Sequence, residues 1–294
     1  MSLDTPNTLP ALTDIPEIGP EDMAVIRRLL EERIGFHLCR YKDKCVMRRI
    51  NIRIRATNSD TPTAYCRLLE HDGREMTQLY KALTIHVSHF FRNPSVFDML
   101  RDSVLPELLA VRAGTGSEAV FWSVGCSTGE EPYALAIILR EYFSDLIKRI
   151  PVRIIATDIN AEILDAARRG LYVVERVAEV PPLLVDRYFA REGGKLRLAA
   201  EIRDMVTFRE EEIFSSGFDR KCDLIMCRNV MIYFERPWQE LLLKGFARSL
   251  SEGGFLVLGK SETMIGEARR YFAPVSPVER IYRALPAAGQ QQGG

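Results

Sequence analysis

From Ala119 onward, short apolar runs alternate with segments of helical period. Ala119–Val124 (AVFWSV) is followed by GCSTG and then by a helical stretch, Glu130–Phe143. Val152–Thr157 is closed by Asp158 and leads into a helix at Ala161–Arg168. Cys222–Cys227 (CDLIMC) precedes a helix at Pro237–Leu250, and Gly254–Gly259 reads as a further strand. Continuous apolar strands separated by helices predict a parallel sheet covered on both faces, because each parallel crossover brings a helix down onto the sheet. Val173–Phe208 departs from this pattern. There Gly193-Gly194 separates two runs, Asp186–Ala190 and Lys195–Leu198, which predicts a helix plus a small hairpin inserted in the α/β domain.

Earlier in the chain the period is helical throughout. Met23, Ile26, Leu29 and Leu30 repeat at helical spacing within Glu21–Arg33, and Gly35 is placed to end that helix. A second helix is predicted over Lys42–Ala56, with Val46, Met47, Ile50 and Ile54 on one face. A third begins with Thr61 as cap and Pro62 in the first turn, and a fourth covers Arg74–Val87. The predicted organisation is a loose arm at 1–19, an all-α N-terminal domain at 20–92 and an α/β domain at 93–285. Residues 172–208 form the inserted β-subdomain, and 286–294 a disordered tail.

Charge and cysteine usage exclude several classes. Forty basic residues balance forty acidic ones, so the chain is not built to coat nucleic acid or a membrane. The start, MSLDTPNTLP, has neither a basic segment nor an apolar run and is read as no signal peptide. Apolar stretches such as Ala134–Leu139 are too short to span a bilayer. The six cysteines show no CxxC spacing, which argues against zinc and for reduced cytosolic thiols. His86 and His89 lack an evident third ligand, so no metal is expected.

Strand–GCSTG–helix is the strongest chemical feature. Glycines let backbone pass close to a ligand, and the helix start offers free N–H groups. Asp158, at the end of the next strand, is suited to accept hydrogen bonds from ribose hydroxyls. The loop has neither GxGxxG nor GK[ST], which disfavours a nicotinamide cofactor and a phosphate loop. Glu130 and Glu131 at the helix start either complement the dipole or meet a cationic ligand; the second option favours S-adenosylmethionine, which carries a sulfonium and an ammonium. CRNVMIYF (Cys227–Phe234) places Arg228-Asn229 directly after a buried strand, with Tyr233 one turn on. In HVSHFFRNPSVF (His86–Phe97), Arg92 lies among aromatics and a proline that hold it in place. Arg40, Lys42, Lys44, Arg48, Arg49, Arg53 and Arg55 make the second helix basic, either as a solvated face or as a docking surface for an acidic partner.

SHFFR, WSVGCSTGEEPYALA, ATDINAEIL, and CDLIMCRNVMIYF followed by LSEGGFLVLGKSE resemble the chemotaxis receptor methyltransferases, the CheR family, from Glu21 to Arg283. The resemblance implies a Rossmann-like class I methyltransferase domain with an inserted small β-subdomain, preceded by an all-α domain. It implies a cytoplasmic, monomeric, metal-free enzyme. Such an enzyme moves a methyl group from S-adenosylmethionine to glutamates of methyl-accepting chemotaxis receptors and leaves S-adenosylhomocysteine. Arg92 and Tyr233 match the family's active-site arginine and tyrosine. His86, Ser88, Arg92, Gly125, Glu130, Glu131, Asp158, Glu212, Ile213, Arg228, Asn229 and Val230 fall at its cofactor contacts. His86 and Ser88 stand where the family often has Asn and Thr, and Glu212-Ile213 where Asn-Leu is common.

The implied chemistry is consistent. A glutamate carboxylate, with a reference pKa of ~4.3, is already a nucleophile at neutral pH. Arg92 then orients it, and Tyr233 adds a hydrogen bond. In this context Arg48, Arg49, Arg53 and Arg55 become candidates for docking the acidic surface of a receptor's helical bundle. Some family members also bind a receptor's C-terminal pentapeptide on the β-subdomain by strand addition. The short Gly193-Gly194 turn points to a pentapeptide-independent enzyme. The competing expectations are a methyltransferase of another substrate class and a cofactor-binding signalling module without catalysis.

Overall fold

The computed structural model describes residues 17–84, 88–215, 218 and 220–286. The chain divides into two compact units, residues 1–85 and 86–294. That division falls earlier than the expected boundary at 92. Residues 88–92 belong to the second unit, where Phe90 packs edge-on against Tyr172 and Phe189.

The first unit holds α1 (Pro20–Ile34), α2 (Asp43–Ala56), α3 (Pro62–His71) and α4 (Gly73–Leu83). Its helix ends follow local chemistry. Gly35 closes α1 in the left-handed conformation, at φ 71°. Thr61 accepts the Ala64 N–H at the start of α3, and Asp72 accepts from Arg74 and Glu75 at the start of α4. Ile26, Leu30, Ile50, Ile54, Tyr65 and Leu79 are fully buried in this unit. Each buried side chain of this size contributes about 2 kcal/mol.

The second unit opens with α5 (Pro94–Met99), a π-helical stretch at Leu100–Val104 and α6 (Leu105–Thr115). Then come β1 (Ala119–Val124), α7 (Glu130–Tyr142), α8 (Ser144–Ile147), β2 (Val152–Asp158) and α9 (Ala161–Arg169). The insert contains β3 (Leu171–Tyr172), α10 (Pro182–Tyr188), β4 (Phe189–Glu192), β5 (Lys195–Leu198) and α11 (Ala200–Arg203). The chain continues through β6 (Val206–Glu210), β7 (Cys222–Cys227), α12 (Arg236–Ser249), β8 (Leu250–Leu258), β9 (Phe272–Ser276) and β10 (Ile281–Ala284).

Seven of these strands form one sheet in the order β6-β2-β1-β7-β8-β10-β9. The first five are mutually parallel, and β10 runs antiparallel to both β8 and β9. Central β1 and β7 are buried along their whole length, which is why their sequences are apolar without alternation. The order reverses between β1 and β7, so the loops leaving their carboxyl ends open a crevice there.

Two expectations about the insert are corrected. Val206–Glu210 pairs in parallel with β2, from Ile154↔Val206 to Asp158↔Glu210, so residues 206–208 belong to the main sheet. The run from Asp186 is not a strand at its start. Pro182 begins a helix that buries Leu184 and Tyr188 four residues apart, and extended structure starts only at Phe189. The hairpin itself stands, with Glu192 facing Lys195 across Gly193 and Gly194. Both glycines have positive φ, 54° and 78°, as the tightest hairpin turn requires. Among the described residues, no helix is long and apolar enough to cross a membrane.

Candidate active site

The parallel strands end on one edge, and the sequence-predicted residues described in the second unit gather there. The loop after β1 turns at Gly125, with φ 64°. A Cβ at this position would lie 2.6 Å from Val230 Cγ2, so the glycine lets this loop touch the turn after β7. Asp158, at the end of β2, is buried. One of its carboxylate oxygens accepts the Ser127 N–H at 2.9 Å and the other the Asn160 N–H at 3.1 Å.

Glu131 sits in the first turn of α7 and accepts from Ser123 Oγ at 2.8 Å. Its other oxygen pairs with Arg228 Nη1 at 3.3 Å. Burial pushes the Glu131 carboxyl above the usual carboxylate range, against the opposing pull of Arg228 and Ser123. Arg228 is itself buried, and its guanidinium stacks 5.3 Å from the Phe97 ring centroid. It also donates to the Arg92 carbonyl and to Asn93 Oδ1. One guanidinium thus ties the helix after β1, the turn after β7 and the segment carrying Arg92.

Arg92 is half-buried between two strained neighbours. Phe91 and Asn93 adopt positive φ, 54° and 60°, and so do Ser127 and Asn229 in the flanking loops, 53° and 62°. Each such non-glycine residue costs about 1 kcal/mol or more, and strain of this kind collects where backbone is shaped for a ligand.

Glu130 lies between the glycine loop and the insert. It is fully buried, accepts from Thr128 Oγ1 at 2.6 Å and lies 3.7 Å from Arg176 of the insert. The Arg176 guanidinium donates to the Ser88 carbonyl, and its own carbonyl accepts the Phe90 N–H at 2.9 Å. Tyr172 of β3 donates to the Thr128 carbonyl at 2.7 Å. The insert therefore holds both the glycine loop and the Ser88–Arg92 segment. Glu212 and Ile213 lie after β6, with Ser215 Oγ donating to Glu212 at 2.5 Å. The Glu211 N–H reaches the Asp158 carbonyl at 2.9 Å, which brings this turn to the same edge. His86 lies outside the described residues.

Sequence reasoning assigned no role to Arg176, Gln239 or Glu262. Glu262, just beyond β8, takes main-chain N–H groups of the turn that carries Asn229 and Val230. An acid four residues past a buried strand, on the ligand-binding edge, was its available signal.

The arginines of α2 belong to the first unit. Arg48 and Arg55 are exposed and Arg49 is half-buried. Arg53 differs. It makes two hydrogen bonds, of 2.9 and 2.5 Å, to the buried Glu75 carboxylate, which also accepts from Tyr65 at 2.7 Å.

The edge fits a nucleoside bearing positive charge. Ser127 Oγ, Glu130 Oε2, Arg228 Nε and Asn229 Oδ1 are buried without a hydrogen-bond partner among the described residues. Such orphaned groups are costly unless a ligand satisfies them. Three of the four can accept a hydrogen bond, which suits a cofactor bearing an ammonium and ribose hydroxyls.

Five parallel strands flanked by antiparallel β10, a glycine loop after the first strand and an acid ending the second make the Rossmann-like class I methyltransferase fold. Residues 86–279 match the family model described as "CheR methyltransferase, SAM binding domain", and residues 21–84 the one described as "CheR methyltransferase, all-alpha domain". The chain belongs to the CheR methyltransferase family. It is 34% identical over 251 residues to "Chemotaxis protein methyltransferase 2" of Pseudomonas aeruginosa, covering 83% of this chain and 87% of the relative. It is 29% identical over 266 residues to "Chemotaxis protein methyltransferase" of Borreliella burgdorferi, covering 88% and 94%. A longer relative, an uncharacterised 104.1 kDa protein of Rhodobacter capsulatus, is 33% identical over 245 residues; the match covers 83% of this chain but 26% of that protein.

Proposed function

We propose that this chain is a protein-glutamate O-methyltransferase. It transfers the methyl of S-adenosylmethionine to glutamate carboxylates on cytoplasmic domains of methyl-accepting chemotaxis receptors and releases S-adenosylhomocysteine. The observation that carries the reading is the convergence of Glu131, the Arg92 segment and the turn leading to Tyr233 on one guanidinium, that of Arg228. Names of relatives such as the Pseudomonas aeruginosa enzyme support the substrate class.

When bound, the cofactor supplies an electrophilic methyl on a sulfonium. Gly125, Asp158, the Arg228–Val230 turn and Glu131 would hold it, with Glu130, Ser88, Glu212 and Ile213 around them. Arg92 orients the incoming carboxylate in line with the methyl, and Tyr233 donates a second hydrogen bond. A glutamate carboxylate is ionised at neutral pH, so neither a general base nor a metal is required. Ester formation consumes both charges, so exclusion of water from the cleft would favour that step. Arg48, Arg49 and Arg55 on α2 dock the acidic receptor bundle, while Arg53 keeps a structural partner in Glu75. The two-residue hairpin turn supports pentapeptide-independent recognition. The enzyme works as a cytoplasmic monomer.

Arg92→Ala should lower kcat about 100-fold, the scale of a lost positioning contact. Tyr233→Phe should lower it about tenfold, one hydrogen bond to a charged group. Calorimetric affinity for S-adenosylhomocysteine should change little in either variant. Unchanged turnover in both would remove these roles.

A further inference from the structure

We infer that Glu262 and Gln239 are positioning residues that together fix the Asn229–Phe234 turn, and with it Tyr233, for the methyl transfer proposed above. The inference rests on that reading for its kinetic arm only.

Glu262 is 4% exposed, and its carboxylate is met by four main-chain N–H groups. Its Oε1 accepts the N–H of Val230 at 3.0 Å and of Ile232 at 3.2 Å. Its Oε2 accepts the N–H of Asn229 at 2.9 Å and of Gly259 at 2.6 Å. A buried carboxylate is costly, and here the compensation comes from main-chain donors, three of them in one turn. Gln239, in the first turns of α12, supplies the opposite chemistry. Its Nε2 donates to the carbonyls of Met231 and Phe234, both at 2.9 Å. One side chain thus takes the turn's N–H groups and the other serves its carbonyls.

The approach of Glu262 is built into the strand end. A Cβ at Gly259 would lie 2.8 Å from the Asn229 nitrogen and 2.8 Å from Glu262 Oε2, so only glycine permits it. What the two side chains hold is Asn229 at positive φ and the residues up to Phe234. A core-packing role would not place both on the backbone of the one turn that carries Arg228, Asn229, Val230 and Tyr233.

Glu262→Gln turns an accepting oxygen into a donor facing N–H groups. Gln239→Glu turns a donor into an acceptor facing carbonyls. The two variants are to be compared with wild type in the full chain, by amide hydrogen exchange and by kcat with S-adenosylmethionine and a receptor cytoplasmic fragment. Glu262→Gln should speed exchange at Asn229, Val230 and Ile232 at least tenfold, with the β1 and β7 amides unchanged. Both variants should lower kcat severalfold, up to the tenfold loss expected for Tyr233→Phe. In a Tyr233→Phe background the same substitutions should lower it less than twofold, because they act through that side chain. Unchanged exchange in the turn, or kcat losses that multiply in full with Tyr233→Phe, would overturn the inference. Gln239 is half-buried on a helix, so its variant decides the kinetic arm if Glu262→Gln does not fold. Should wild type methylate no receptor fragment, the proposed reaction fails, and hydrogen exchange alone decides whether the two side chains fix the turn.

Discussion

At the residue scale, burial separates side chains that look alike in sequence. Arg48, Arg49, Arg53 and Arg55 form one basic run, but Arg53 is the counterion of Glu75, which is 6% exposed and also bonded by Tyr65. Arg53→Ala strands that carboxylate and should destabilise the protein by about 3 kcal/mol. Alanine at 48, 49 or 55 should stay within about 0.5 kcal/mol of wild type. Thermal melts of the four variants test this; equal midpoints would refute the distinction. The helical spacing of α2 was legible in the sequence. The partner of Arg53 was not, because Glu75 lies on another helix and only tertiary packing brings the two together.

At the element scale, α7 and the turn after β7 are joined by Glu131 and Arg228. Burial raises the Glu131 carboxyl, so it takes up its proton at a higher pH than a free glutamate does. Protonation removes the charge facing Arg228 and any cationic ligand. Affinity for S-adenosylhomocysteine should therefore be full at pH 8 and fall as pH drops, with a midpoint above the ordinary carboxylate range. Glu131→Gln should bind more weakly at pH 8 and lose that dependence. Calorimetry across this range tests both, and a flat wild-type profile would contradict the assignment. Elements with strong periodicity or an apolar run, such as α1, α2, β1, β2 and β7, were legible in advance. β6 was not: its sequence, VTFRE, buries only Val206 and Phe208 at the sheet's edge, so it resembled the hairpin strands beside it. Residues 94–115 carry Val96, Phe97, Leu100, Val104, Leu105 and Leu108 at helical spacing, all buried, and the structure puts a π-helical stretch in their middle.

At the scale of the whole molecule, the glycine loop, Asp158 and Arg228 were legible in sequence because each lies at the carboxyl end of a strand of one parallel sheet, and Tyr233 follows Arg228 in the same turn. The residues that brace them, Arg176, Gln239 and Glu262, come from the insert, a helix and a later loop, and only the fold assembles them. On the proposed function, this assembly esterifies receptor glutamates. The most direct measurement incubates the full chain with methyl-radiolabelled S-adenosylmethionine and receptor cytoplasmic fragments, then treats the labelled fragments with mild alkali. The fragment should carry label that alkali releases as methanol, with Arg92→Ala transferring about 100-fold more slowly. Label that resists alkali, or cofactor binding with no transfer to any fragment, would contradict it.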